Sequence, residues 1–533
     1  MRKKAQTIKE EIEIPERCSY LDEYNKNLPQ MEFIDKHVCS NFKKRFKEDD
    51  KVFCIFHYQN ESKASEFQSA LAEKINKGHF IFNGTWFPDS VDLSWVEFNT
   101  PANFSHCYFS KDVSFSNASF LLGADFRGTT FNQRTDFNYA SFANSEEIAD
   151  LELSFFSATF NGEVSFSSTK FQKKTIFDNS KFVKGFSTFA NANFTDEASF
   201  QNVSFGDLNT KENNNSFFFT KTIFEKKVSF QKSEFLFFMH FSNALFKGSA
   251  DFRETEVKNS ILFNDSTFES FARFSSKNND HRLWNYDGLN FSSVEIEKPE
   301  RIFFQSMPLK PESFSYTDLR KFDFTDIKWK VKNFWFDWAR FKDFAWWRDE
   351  VKARRTSYVS LEKIYRRFAS FAEENNDYQS ASKFRFTAFD IQRITPWYGR
   401  LPITLLWWYK WTSRYGENWL WCAILLLTLL FAVFPYIYTQ INFQTCSKDR
   451  PIAASLTICE SKDEEIKKNC TCNTDQITFT DAIVQSLTTA TLQNVEYRKP
   501  LTGWGELWII LEKIFAPLQA ALLALAIRRK FMR

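Results

Sequence analysis

Large apolar residues recur along the middle of the chain at steps that alternate between six and five positions. The first run is Phe98, Phe104, Phe109, Phe115, Phe120, Phe126, Phe131, Phe137 and Phe142. Neither an α-helix, with 3.6 residues per turn, nor a strand, with a period of two, produces this spacing. Small residues often stand two positions before the aromatic, namely Ala118, Ala140, Ala158, Ala192, Ala198, Ala244 and Ala250. The pattern predicts a solenoid in which large side chains stack along the axis and small ones lie where the chain packs closely.

Two apolar stretches near the end of the sequence predict helices that cross a membrane. Residues 419–438 contain no charged side chain, and residues 504–527 precede a basic tail. Both are long enough to cross a hydrocarbon layer of about 30 Å. Residues 479–494, between them, predict a short helix followed by hydroxyl and amide side chains. Two spans around a half-buried polar stretch are typical of a channel subunit.

Flanking charge predicts that both ends of this membrane region lie inside the cell. Arg400, Lys410 and Arg414 precede the first span, whereas residues 440–478 hold five Lys/Arg against six Asp/Glu and are predicted to lie outside. The N-terminal residues lack the apolar core of a secretory signal, so we expect the long N-terminal part to be cytoplasmic.

Four cysteines fall in the predicted outer loop, where disulfides form. They are Cys446, Cys459, Cys470 and Cys472. Four cysteines allow three pairings, and the sequence does not choose among them. Cys470 and Cys472 also suggest a metal site, but no His lies near them, so we favour disulfides and predict no metal.

Residues 328–415 are basic and rich in Trp, with 18 Lys/Arg against 9 Asp/Glu. Apolar positions predict two helices between 358 and 393, separated at 375–377. Residues 401–411 are aromatic but too short to span, and they predict a helix lying on the inner leaflet. Burial of these aromatics against the two helices is the alternative.

A basic cluster in the same region is a candidate site for an anionic partner. It comprises Arg354, Arg355, Arg366 and Arg367. We favour anionic lipid over a ligand such as a nucleotide, because no Gly-rich phosphate loop accompanies the cluster. The chain has six His, no nucleophile motif and no metal-ligand spacing, so we predict neither an enzyme nor a cofactor.

The words Phe115-Ser-Asn-Ala-Ser-Phe120 and Phe241-Ser-Asn-Ala-Leu-Phe246 resemble pentapeptide repeats of the Phe-centred kind. The resemblance covers roughly 95–275 and implies a right-handed, four-sided β-helix, with loops at 143–154 and 206–216. The recurrent sixth residue departs from a pure five-residue repeat. Residues 93–275 carry 21 Asp/Glu and 17 Lys/Arg, too weak an excess to mimic DNA, so we expect a scaffold or docking platform.

Residues 364–384 and 415–417 resemble the linker of bacterial pentapeptide-repeat channel proteins, and 479–533 resemble two-span potassium channels. The resemblance implies a pore helix at 479–486, an inner helix from 504, four subunits and a bacterial inner membrane. The family's filter is Val-Gly-Tyr-Gly, whereas residues 492–496 contain no glycine. A ladder of backbone carbonyls is therefore disfavoured, because other residues resist the left-handed angles that it uses.

Side chains are expected to line the narrowest part of the pore instead. The candidates are Thr488, Thr489, Thr491, Gln493, Asn494 and Glu496. These residues predict weak selectivity for hydrated cations, with anion passage left open.

Three residues of the inner helix are candidates for gating or support. Glu512 is expected to bind the pore helix, because a charge inside a span rarely faces lipid. Pro517 predicts a kink that is either a gate or static. Leu523 and its apolar neighbours are candidates for a constriction that closes by dewetting.

The predicted fold is mixed: a cytoplasmic β-helix, a helical linker, and an all-α pore domain with a re-entrant loop. The predicted domains are an N-terminal, mostly helical region (1–92), the repeats (93–275), the solenoid end and basic linker (276–395), an interfacial helix (396–415), the first span (416–440), an outer loop (441–478), the pore segment (479–503), and the second span with its tail (504–533).

We predict a homotetrameric channel that is gated by an unknown ligand or protein acting on the cytoplasmic part. A membrane-depolarising role in phage defence is one version of this hypothesis. The alternative is a membrane-anchored scaffold that does not conduct.

Overall fold

The computed structural model describes residues 45–48, 51–143, 153–207, 215–285, 288–297, 301–331, 357–396, 404–448, 470–493 and 498–531. The chain divides into two compact units, 1–330 and 331–533. The first unit contains the repeats, and the second contains the two long apolar helices near the end of the sequence.

The repeats form a stack of parallel strands with four faces, as the resemblance to pentapeptide repeats implies. One coil takes 22 residues, as from Phe109 to its strand partner Phe131. Two steps of five residues and two of six add to this length. One coil therefore has four sides of five or six residues, which explains why the spacing alternates instead of keeping a pure five-residue repeat.

The strands of the first two faces succeed one another along the stack. Face A comprises Trp86–Phe87, Tyr108–Phe109, Thr130–Phe131, Thr159–Phe160, Lys181–Phe182, Ser204–Phe205, Glu234–Phe235 and the end of Ala250–Val257. Face B comprises Val91–Asp92, Val113–Ser114, Thr135–Asp136, Val164–Ser165, Ser187–Thr188, Ser216–Phe218, Phe238–His240, Ile261–Leu262 and Leu289–Asn290.

The other two faces complete each coil. Face C comprises Glu97–Phe98, Ser119–Phe120, Ser141–Phe142, Lys170–Phe171, Asn193–Phe194, Ile223–Phe224, Leu245–Phe246, Thr267–Phe268 and Glu295–Ile296. Face D comprises Ala102–Asn103, Ala124–Asp125, Leu153–Ser154, Thr175–Ile176, Ala198–Ser199, Val228–Ser229, the start of Ala250–Val257, Ala272–Ser276, Ile302–Gln305 and Phe322–Thr325.

The interior of the stack is made of phenylalanine. Rings one coil apart are stacked, as in Phe115 and Phe137 at 4.7 Å, and rings within a coil meet edge to face, as in Phe104 and Phe115 at 5.4 Å. Such aromatic pairs add roughly 0.5–1.5 kcal/mol beyond the burial of their area. The small residues two positions before the aromatic are buried, as the pattern predicts.

Alternate corners of the coil have left-handed backbone. His106, Asn117, Gly128 and Tyr139 have φ between 55° and 63°, at intervals of 11 residues. Asn117 lies within the five-residue step from Phe115 to Phe120, and Asn tolerates this conformation better than most residues. The tight corner therefore accounts for the shorter of the two steps.

The stack extends beyond the predicted repeat range at both ends. Its first rung pairs Ile81 with Asn103, and its last pairs Pro308–Leu309 with Lys328–Trp329. Phe131 pairs with Phe160, so seven residues more than the usual 22 are inserted without interrupting the column. The predicted loops lie mostly outside the described residues.

Between residues 45 and 76, the described part of the first unit contains an antiparallel hairpin and a helix. The hairpin is Arg45–Glu48 with Lys51–Cys54, and helix α1 is Ala64–Asn76. Short 3₁₀ turns in the unit are Glu61–Lys63, Lys277–Asn279, His281–Leu283, Pro311–Phe314 and Leu319–Lys321.

From residue 357 onward, where the structure describes the second unit, the predicted helical hairpin comes first. Helices α2 (Tyr358–Glu374) and α3 (Tyr378–Ile394) separate at Asn375–Asp377, and their apolar sides are buried. The side chain of Ser357 caps α2, and that of Asp377 caps α3. Helix α4 (Leu405–Ser413) follows, with Trp408 and Trp411 exposed, and a 3₁₀ turn at Arg414–Gly416 ends it.

Two helices of the second unit are long and apolar enough to cross a membrane. The first consists of α5 (Trp419–Thr428), a π-helical turn (Leu429–Val433) and α6 (Phe434–Thr439). Pro435 has no N–H to donate, which accounts for the π turn just before it. The second is α8 (Gly503–Phe531), which is assigned as one continuous helix through Pro517.

The connection between these two helices contains α7 (Phe479–Ala490) and a three-stranded antiparallel sheet. The strands are Asn442–Lys448, Cys470–Gln476 and Arg498–Pro500. Of the predicted outer-loop residues, 449–469 lie outside the described part of the chain.

Candidate pore site

Helix α7 packs against both of the long apolar helices. Its Ala482 is fully buried in a cluster with Phe434, Tyr438, Ile441 and Phe443, which Trp508 and Ile509 of α8 also contact. The helix begins where the side chain of Thr478 caps the N–H of Asp481. A short amphipathic helix is thereby fixed at one end of the pair of spans.

A buried carboxylate joins the three helices. Glu512 is 0% exposed. Ser486 of α7 donates its hydroxyl hydrogen to Oε1 of Glu512, and Tyr438 of α6 donates to Oε2. Glu512 lies nine residues after Gly503, about 13 Å along the axis of α8. The contact with α7 is the one expected for Glu512 from the sequence, whereas Tyr438 and Ser486 were not among the candidate residues.

The C-terminal end of α7 is closed by a left-handed residue that is not glycine. Gln493 N donates to Thr488 O at 3.0 Å and Leu492 N donates to Thr489 O at 3.0 Å, the pair of bonds that defines a Schellman motif. Leu492 has φ 62°. We expected residues other than glycine to resist this conformation, yet here one occupies it.

The predicted lining residues do not share one environment. Thr491 and Gln493 are exposed at the end of α7. Thr488 donates its hydroxyl to the backbone of its own helix, at Val484 O and Gln485 O. Thr489 is buried beside the Tyr438 side chain, so within this chain it belongs to the Glu512 group. Asn494 and Glu496 lie outside the described residues.

Helix α8 makes a second polar contact, with α4 and α5. Gln519 is buried, and its Nε2 donates to Thr412 O at 3.0 Å and to Cys422 O at 3.1 Å. Pro517 and Leu523 are both half-buried on the same helix. The sequence could have identified Gln519 as a candidate, because a side-chain amide within an apolar helix requires a hydrogen-bond partner.

The basic cluster is only partly within the described residues, which exclude Arg354 and Arg355. Arg366 is paired with Glu362 at 2.7 Å and lies over the ring of Phe389. Arg367 is exposed one position further along α2.

The backbone register of the small sheet places two of the predicted disulfide cysteines opposite each other. Cys446 is the partner of Cys472, and Lys448 is the partner of Cys470. Cys459 lies outside the described residues. Cys54, Cys107 and Cys422 are free thiols, all buried, and burial raises the pKa of Cys107. Within the described ranges, no group of three or more His, Cys, Asp or Glu is placed to hold a metal ion.

Comparison with known proteins adds one finding. Residues 96–141 match the family model described as pentapeptide repeats (9 copies). No curated protein matches the chain. The matched residues lie within the column of stacked phenylalanines, so this part of the chain consists of pentapeptide repeats.

Proposed function

We propose that the chain is one subunit of an oligomeric ion channel, with α7 as its pore helix and α8 as its inner helix. The observation that carries the proposal is the Glu512 contact. An ionisable side chain in an apolar helix is costly unless it is paired, and here Glu512 fastens a short helix that ends in exposed Thr491, Leu492 and Gln493.

The exposed surface of the spans supports the same proposal. Ile510, Ile514, Phe515 and Leu518 of α8 are each about half exposed or more in the single chain. An apolar surface of this kind requires lipid or sister subunits as cover. Two spans do not enclose a conduit, so several copies, four by resemblance, would surround it.

Neutral side chains at the end of α7 favour a weakly selective pore, because hydroxyls and amides bind ions less specifically than a ring of backbone carbonyls. We assign gating to a ligand or protein that binds the cytoplasmic part, and anionic lipid to the basic cluster of Arg354, Arg355, Arg366 and Arg367. The glycine-free segment 492–496 motivates the proposal that opening depolarises a bacterial inner membrane during phage defence.

Planar-bilayer recording of the purified full-length chain tests the proposal. A Gln493→Cys variant is expected to conduct, and a charged thiol reagent is expected to reduce its current at least severalfold. The matched control is Gln440→Cys, because Gln440 is also exposed but lies at the end of the first span. The reagent should leave the currents of this control and of the unmodified chain unchanged.

Absence of current from intact oligomers would overturn the channel and leave a membrane-anchored scaffold. The depolarisation role is tested separately by expressing the chain in cells that carry a potential-sensitive dye. An unchanged membrane potential during phage infection would contradict that role without affecting the channel itself.

A further inference from the structure

Three consecutive residues between α4 and the first span have left-handed backbone. Arg414, Tyr415 and Gly416 have φ of 50°, 60° and 72°. We call residues 413–417 the elbow. The conformation is unfavourable for Arg and Tyr, and strain of this kind persists only where the surrounding contacts enforce it. A Cβ at Gly416 would lie 2.9 Å from Tyr409 Oη and 3.0 Å from Arg529 Nη1, so the elbow is also tightly enclosed.

The last residue of the elbow, Glu417, is shared by the hairpin and the end of the inner helix. Its side chain is 3% exposed. From α3, Ser382 Oγ donates to Oε2 at 2.7 Å and Arg385 Nε donates to Oε1 at 2.9 Å. From α8, Arg529 Nη1 lies 3.5 Å from the same Oε1 and donates to Tyr415 O at 3.0 Å.

A second carboxylate joins the same hairpin to α4 and the elbow. Asp390 of α3 is 1% exposed and lies 2.8 Å from Lys410 Nζ and 3.0 Å from Arg393 Nη2. The hydroxyl of Tyr415 donates to its Oδ1 at 3.4 Å. The ring of Tyr415 packs against Phe386 and Phe389, and burial raises its pKa, so the hydroxyl stays protonated. The hairpin therefore holds the elbow at two points.

We propose that Glu417 is a positioning residue that couples movement of the α2–α3 hairpin to the end of the inner helix. One buried carboxylate serves Arg385 on one side and Arg529 on the other. A shift of α3 that removes Arg385 leaves a poorly compensated buried charge, which favours a new position of Arg529 over a gradual deformation. The inference rests on the proposed channel and gives the route by which a signal at the hairpin reaches the pore.

Single-channel recording of full-length variants measures this coupling. Arg385→Gln and Arg529→Gln are each expected to change the open-to-closed ratio by about fivefold or more. Their combination should depart from the product of the single effects, and this departure should vanish in a Glu417→Gln background. Additive effects in both backgrounds would overturn the proposal while leaving the channel in place.

Two matched controls each remove one charge of the same sign as an elbow variant, at a position outside the elbow. Arg528→Gln changes the exposed neighbour of Arg529, and Glu374→Gln changes an exposed carboxylate at the end of α2. Both are expected to leave the open-to-closed ratio unchanged. If either shifts it as strongly as the elbow variants do, net charge rather than the Glu417 contact explains the effect.

Hydrogen exchange decides the coupling independently of conduction. Arg529→Gln is expected to speed exchange in α3 severalfold although the substitution lies in α8, whereas Arg528→Gln is not. Arg529→Lys, which retains the charge, is a second variant should the Gln variant fail to fold, and it should give a smaller effect in the same direction. Unchanged exchange in α3 would overturn the coupling, whereas a chain that carries no current overturns only the channel.

Discussion

At the scale of single residues, Leu492 occupies a position that favours glycine. Its left-handed backbone ends α7, and its side chain is 62% exposed, so little packing compensates for the strain. We expect Leu492→Gly to raise the free energy of unfolding by about 1 kcal/mol. Leu487→Gly, inside the same helix, should lower it by about 1 kcal/mol. Thermal unfolding in detergent measures both, and effects of equal sign would contradict the prediction.

Lys63 gives the first unit a dependence on pH. Its amine is buried and donates to Ile55 O and Phe56 O, and burial lowers its pKa from 10.5 to about 7. Between these values the unfolded chain binds a proton that the folded chain lacks, so stability should increase as the pH rises. The slope is at most about 1.4 kcal/mol per pH unit.

The difference between the wild type and Lys63→Met isolates this contribution from the other titrating groups. Thermal unfolding is measured for both between pH 7 and 10. The wild type should gain stability relative to the variant over this interval, and a constant difference would mean that Lys63 keeps its ordinary pKa.

At the scale of elements, the sequence predicts well those features that regular residue spacing encodes. The break between α2 and α3, the short helix from Phe479 and the phenylalanine ladder all follow from spacing. The contacts of Tyr438, Glu417 and Arg529 do not follow from spacing, because each partner is distant along the chain and none belongs to a repeat. Left-handed corners at Lys221 and Glu254 have no local signal either, since the coil imposes them.

The hydrogen bond between Ser486 of α7 and Glu512 of α8 is expected to stabilise the second unit. Ser486→Ala and Glu512→Gln should each destabilise it, and a double-mutant cycle should give a coupling of about 0.5–3 kcal/mol, the range for hydrogen bonds to neutral and charged groups. Glu506→Gln, an exposed change on the same helix, is the control and should be near neutral. A coupling near zero would mean that the two helices are held together by apolar packing alone.

The small sheet favours one disulfide pairing of the three. Directly opposed residues of antiparallel strands have Cα atoms about 4.5–5.5 Å apart, within the range that a disulfide requires. The register of Cys446 with Cys472 therefore predicts a bond between them and leaves Cys459 for Cys470. Peptide mapping without reduction checks this, and a Cys470–Cys472 link or four free thiols would contradict it.

At the scale of the whole molecule, the two units differ in how completely they bury their own apolar side chains. The solenoid buries its phenylalanines within one chain, and each coil covers the next, so the first unit satisfies its own core. The spans do not, because α5 and α8 leave Leu427, Ile510 and Ile514 about half exposed or more. The second unit therefore needs lipid or sister subunits to cover its apolar surface, whereas the described core of the first unit does not.

This asymmetry predicts the mass of the detergent-extracted protein. Native mass spectrometry should give four times the chain mass of 63.0 kDa, and the repeats released by proteolysis should be monomeric. If Ile510 and Ile514 contact neighbouring subunits in the oligomer, Ile510→Ser and Ile514→Ser should each weaken assembly. Each substitution removes apolar area that is buried between subunits. The exposed Leu405→Ser on α4 is the control. A species of 63.0 kDa would show that lipid alone covers the spans, and a single chain with two spans does not enclose a pore.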